Sequence, residues 1–277
     1  MPIGYPDTVF RYEPLSDRPV GRGGCGNIWK ARDILLDRTV ALKTVNEQLL
    51  WHDDERARRT FLKEATAGAR LAQSSRHVVP VTDLGIADGI PYFVMPWIDN
   101  GTDPPDLGGQ IGRMSVGRAR AVLAQITEAV AVAHRNGIVH SDIAPWNIVH
   151  TKAENLYQLT DFGLLKIVEN QLLSVGSGSL LRGGRQDFQP PEVRADIAAV
   201  DYSSDVYALA VTFRVLIEGD SCLRTKGGSP FPTPGVIRVR HEQRDAPDRV
   251  RQLLVRFVDE HERTDTVDDF TELLRRI

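Results

Sequence analysis

Five short patterns stand in fixed order along the 277-residue sequence: Gly21-x-Gly23-x-x-Gly26, Val40-Ala41-Leu42-Lys43, His140-Ser141-Asp142 with Asn147, Asp161-Phe162-Gly163, and Pro190-Pro191-Glu192. Glycines carry no side chain, so backbone N–H groups beside them can approach phosphate oxygens. A lysine balances phosphate charge, and Asp and Asn oxygens are hard ligands for a hard divalent ion. Phosphate loop, lysine, carboxylate with asparagine, then metal carboxylate is the order that moving a phosphoryl group requires.

The elements that must hold these residues are legible from hydrophobic period. Gly21-x-Gly23-x-x-Gly26 is weak by itself, because glycine fills 23 of 277 positions. It precedes Ile28 to Ala31, which reads as a returning strand, so the turn is a hairpin and not the strand-to-helix turn of a dinucleotide site. Val40 to Lys43, the alternating run Val78 to Gly85, and Pro91 to Met95 also read as strands. One helix between them starts near Asp53 and Asp54, whose charges suit its positive end, and runs through Phe61, Ala65, Ala69 and Ala72.

Turn-forming residues from Asp99 to Asp106 then predict a joint, and helices dominate beyond it. The period predicts a helix from Val116 to Arg135 stopped by Asn136-Gly137, and a centrally buried one from Tyr207 to Glu218. Amphipathic helices follow near 247–258 and 267–276, whereas 220–246 shows no sustained period.

With 42% hydrophobic residues the chain can bury a substantial core. A net charge of −3 without an isolated basic run argues against nucleic acid as a partner. Cys25 and Cys222 lack metal-ligand spacing and imply a reducing compartment. No stretch nears the roughly 20 apolar residues that cross a bilayer, and the first residues lack signal-peptide features, so a cytoplasmic protein without membrane partners is expected.

Taken together, the five patterns resemble the eukaryotic-type (Hanks-type) serine/threonine protein kinases, in a bacterial-like form with an atypical catalytic loop. The resemblance implies a bilobal α+β fold, with residues 1–98 as a strand-rich N-lobe and 99–277 as a mainly helical C-lobe. It implies ATP and Mg2+ as cofactors and a protein as substrate. Gly21, Gly23 and Gly26 would cradle the phosphates, and Lys43 would hold them while paired with Glu64. Ile28, Ala41, Met95, Trp97 and Val149 would surround the adenine, with backbone groups of Pro96 to Ile98 hydrogen-bonding to it. Asp142 would orient the attacking hydroxyl, and Asn147 and Asp161 would bind metal. His140 and Phe162 would pack. Glu192 with Arg263 would anchor the activation segment, and Asp205 would hold the catalytic-loop backbone. Asp142-x-x-Pro145 resembles serine/threonine members more than tyrosine ones.

Several residues depart from that family pattern. Cys25 occupies the loop tip where an aromatic residue is frequent, and Ser141 replaces an arginine that pairs with a phosphate on the activation segment. Ala144 replaces the lysine that stabilises the transferring phosphate, and Trp146 stands where tyrosine kinases supply an arginine. Arg185 is the candidate to restore that charge. Ser174, Ser177 and Ser179 are candidate autophosphorylation sites. Ser141, Ala144 and Cys25 also fit a pseudokinase acting as a nucleotide-binding interaction module, and the patternless 220–246 stretch fits a small-molecule phosphotransferase.

Overall fold

The computed structural model of the chain describes residues 11–22, 26–45, 54–87, 89–162, 186–196, 199–219, 257 and 266–277. Six strands form one antiparallel sheet: β1 (Tyr12–Pro14), β2 (Gly21–Arg22), β3 (Gly26–Asp33), β4 (Arg38–Val45), β5 (Asp83–Ala87) and β6 (Ile90–Pro96). Its order is β1-β3-β4-β6-β5, with β2 folded back on β3. Period-two alternation divides β4. Val40 and Leu42 pack with Tyr12, Ala31 and Val94 on one face, whereas Ala41 and Val45 join Phe93 and Met95 on the other. Lys43 lies between Ala41 and Val45 in this alternation and so shares their face.

Helix α1 (Asp54–Leu71) covers that face with Phe61 and Ala65, one turn apart, and the rings of Phe61 and Phe93 lie 4.8 Å apart. The alternating run from Val78 becomes a ladder strand only at Asp83. Before it, Val79 N–H bonds to Leu159 O at 2.9 Å and Leu159 N–H to His77 O at 2.8 Å, which ties the segment to the other lobe.

Helix α2 (Val116–Arg135) has the predicted limits. Ser115 caps it, Val122, Ile126, Ala129 and Ala133 line its buried stripe, and Gly137 leaves it at φ 72°. The hairpin β7 (Ile148–Thr151) and β8 (Leu156–Leu159) and the short helix α3 (Pro191–Ala195) follow. Helix α4 (Tyr202–Glu218) is buried along nearly its whole length. It starts five residues before its apolar run because Asp201 and Ser204 form a reciprocal capping box. Helix α5 (Val267–Arg276) is capped by Thr266 and buries Val267, Phe270, Leu273 and Leu274. The predicted helix near 247–258 falls, except for Phe257, outside the described residues, as does 220–246. Among the described residues no helix is long and apolar enough to cross a membrane.

The sheet holds one fully buried charge at its back. Asp33 accepts hydrogen bonds from Arg11 Nη2 at 3.0 Å and Nε at 3.1 Å, from Arg38 Nε at 3.3 Å and from the Leu36 N–H at 3.4 Å. Burial alone would raise its pKa, but these donors and the Arg11 charge hold it below the usual carboxylate range. A carboxylate depressed in the fold stabilises at pH values above its unfolded pKa of roughly 4, and the contribution is lost as pH falls through the folded value. Asp33→Asn should therefore cost about 3 kcal/mol at pH 7 by denaturant titration, with the two proteins converging in stability as the pH is lowered toward 3. A constant difference over that range would contradict the assignment.

Candidate active site

Each site residue is placed by an element whose local sequence demands that position. The β2–β3 register sets Gly21 opposite Ile28, which packs against the apolar cluster on the face that carries Lys43. Any side chain at Gly26 would run into the Thr44 carbonyl oxygen on the neighbouring strand, which reserves this position for glycine. Gly23 and Cys25 lie outside the described residues.

The Lys43 ammonium is buried and bridges two carboxylates. Its Nζ donates to Glu64 Oε1 at 2.7 Å and to Asp161 Oδ1 at 2.9 Å, and it lies 5.5 Å from the Phe93 ring centroid. Burial pushes the lysine pKa down, but Asp161 and Glu64 overcome it and hold the ammonium charged. Burial pushes the Glu64 carboxyl up to about 7 against the attraction of Lys43, and Asp161 adds to the rise. Its second oxygen, Oε2, is buried and has no hydrogen-bond partner among the described residues.

Asp161 follows β8 with φ 64°, a left-handed conformation that costs a non-glycine residue roughly 1–3 kcal/mol. That turn aims its carboxylate back at Lys43, and the Thr160 hydroxyl donates to the same oxygen at 3.3 Å. Thr160 also bonds through its N–H to Asn147 O at 3.0 Å, joining the metal-ligand candidates. Asn147 uses its Nδ2 on Asp142 O at 2.7 Å and on Asp142 Oδ2 at 2.9 Å, so its amide oxygen is the atom left for a cation. An amide oxygen and a carboxylate on facing segments suit Mg2+, which is held by few protein oxygens together with phosphate and water.

The loop carrying Asp142 is clamped from below. Asp205 on α4 is fully buried and accepts from His140 N–H at 2.8 Å, Ser141 N–H at 2.7 Å and His134 Nε2 at 2.8 Å. This grip holds Ser141 at φ 67°. His140 packs on the Phe162 ring, with centroids 4.7 Å apart. Its Nδ1 accepts from Asp142 N–H at 3.2 Å, so its Nε2 is the nitrogen that donates to Thr160 O at 2.9 Å.

Ala41, Met95, Ile28, Trp97 and Val149 belong to one apolar cluster on the Lys43 face. The structure thus brings Lys43, Glu64 and Asp161 into direct contact, and Asn147 joins Asp142 to Thr160, the residue before Asp161. Arg185 and Arg263 lie outside the described residues, as do Ser174, Ser177 and Ser179. His134 and Thr160 were missed. A histidine in the last turn of α2 reads as a helix-dipole partner, and nothing local points to Asp205, 71 positions away.

Residues 15–258 match the family described as protein kinase domain. The chain belongs to the protein kinase domain family. Relatives include a probable serine/threonine-protein kinase, CPE1738, of Clostridium perfringens, 31% identical over 87% of this chain and 33% of the relative. Serine/threonine-protein kinase PknD of Mycobacterium tuberculosis is 34% identical over 80% of this chain and 33% of its own length. PrkC of Bacillus subtilis, also a serine/threonine-protein kinase, is 31% identical over 87% and 34%. The chain therefore spans about a third of the length of these curated relatives. The crystal structure of the Mycobacterium tuberculosis PknI kinase domain superposes with a TM-score of 0.65 at 22% identity, over 99% of both chains, which shows the shared fold. Protein kinases in general use ATP and a divalent metal.

The Asp205 clamp can be tested without any activity. Asp205→Asn should raise hydrogen exchange at the His140 and Ser141 amides by at least tenfold and lower stability by about 3 kcal/mol, because two buried N–H groups lose a charged acceptor. Unchanged exchange at both amides would show that the clamp does not hold the loop.

Proposed function

We propose that this chain is the catalytic domain of an ATP-dependent protein kinase that transfers the γ-phosphate to serine or threonine hydroxyls of proteins, including its own. The observation that carries this reading is the shared Lys43 ammonium, 2.7 Å from Glu64 and 2.9 Å from Asp161, beside the Asp142–Asn147 pair. We assign residues 1–98 to the N-lobe and 99–277 to the C-lobe, and place the domain in the cytoplasm, where ATP is available. A net charge of −3 gives it no global attraction for nucleic acid.

Lys43 holds the α- and β-phosphates under the glycine hairpin, with Glu64 fixing its position. Asn147 and Asp161 hold Mg2+, which when bound neutralises phosphate charge. Asp142, held by the Asn147 amide, points the acceptor hydroxyl and takes its proton. Ile28, Ala41, Met95, Trp97 and Val149 enclose the base. Ala144 supplies no charge; its methyl is buried against Phe188, Tyr207, Val211 and Val215. Arg185 replaces the missing cation in this reading.

Incubation with γ-labelled ATP and Mg2+, with protein and metabolite acceptors side by side, tests the reading. Wild type should label serine or threonine by mass spectrometry, and Asp142→Asn should lower the rate by roughly 10³-fold. Label found only on metabolites, or equal labelling by the variant, would overturn it. Arg185→Ala should cost about 10²–10³ in rate with ATP and Mg2+ saturating. An unchanged rate would remove Arg185 from the mechanism.

A further inference from the structure

Trp146 lies in the short 3-10 turn Pro145–Asn147, between two buried residues, yet its own side chain is 41% exposed. Of the described large apolar side chains that stand more than a third exposed, it is the one on the loop carrying Asp142. Its ring is not loose. Phe188, itself buried, meets it edge-on with centroids 5.4 Å apart at 79°. It also lies close to Gly108, where an added Cβ would come within 3.2 Å of the indole Cδ1 and 3.4 Å of Nε1.

The segment under the ring is fixed in turn. Leu107 N–H bonds to Pro145 O at 3.0 Å and Ile148 O at 3.1 Å, and Gly108 N–H bonds to Asp106 Oδ1 at 2.8 Å. An aromatic surface ordered in advance has little freedom left to lose when a partner lands on it. The chemistry it offers is apolar: between Asp142 and Asn147 the loop has Ile143, Ala144, Pro145 and Trp146, and no charged side chain.

We infer that Trp146 determines specificity, its indole receiving an apolar or aromatic side chain of the substrate protein near the phosphoacceptor. The inference rests on the protein-kinase reading above. Trp146 stands four positions after Asp142, and a chain reaches at most about 3.3–3.6 Å per residue, so the two Cα atoms are no more than about 14 Å apart. An extended substrate covers that span in about four residues, which places the recognised side chain within four positions of the acceptor on one side.

The test uses the full chain with single-serine peptides varied at each of four positions on either side of the acceptor, assayed with wild type, Trp146→Ala, Trp146→Phe and Trp146→Glu. Wild type should favour aromatic or large apolar residues at one position. Trp146→Ala should raise KM about tenfold for those peptides and leave peptides lacking the residue at their wild-type KM, with kcat for both sets preserved. Trp146→Phe should retain most of the preference, and Trp146→Glu should turn it toward lysine or arginine. Identical preferences in wild type and both Trp146→Ala and Trp146→Glu, or a wild type without apolar preference, would overturn the inference alone. A wild type that labels no peptide or protein would overturn the kinase reading and this inference with it.

Discussion

The buried ammonium of Lys43 is the constraint on which the rest of the site depends. A charge removed from water costs several kcal/mol unless it is paired. Here its partners come from α1, 21 residues onward, and from the turn after β8, 118 residues onward. Satisfying one lysine therefore fixes a strand, a helix and the opposite lobe relative to one another. The same β4 alternation that turns Lys43 inward also turns Ala41 and Val45 to that face, where Phe61 and Ala65 of α1 pack. The ion pair and the apolar wall are two consequences of one strand register.

Opposing this order is local strain. Ser141 and Asp161 both hold left-handed backbones, with φ 67° and 64°, without being glycine. Each is over-determined by its neighbours: Ser141 by Asp205, and Asp161 by Lys43 and Thr160. Strain of this kind at two points of one site holds functional groups in a geometry the chain would not choose by itself. Asp205 performs for the catalytic loop what Glu64 does for Lys43, a buried carboxylate spent on position.

The site was legible in the sequence to the extent that its chemistry is written in short local patterns. Lys43, Glu64, Asp142, Asn147 and Asp161 were marked by the family resemblance that the short patterns carry, and helix α2 by its apolar period and the Asn136-Gly137 stop. The start of α4 was not, because its first turn is polar and only the Asp201–Ser204 reciprocity reveals it. The run from Val78 looked like strand throughout, yet its first residues pair with Leu159 across the lobes, a contact with no local signal. His134 was hidden for the same reason. Trp146 could be read only as a departure, since its exposure and its supports at Phe188 and Gly108 exist only in three dimensions.

A double-mutant cycle on MgATP affinity addresses the central claim most directly, using wild type, Lys43→Met, Glu64→Gln and the double variant by calorimetry. If Glu64 acts through Lys43, the double variant should bind no more weakly than Lys43→Met alone, a coupling of about 1–3 kcal/mol. Losses that simply add would mean that the two side chains serve the nucleotide independently, and that the shared ammonium does not organise the cleft.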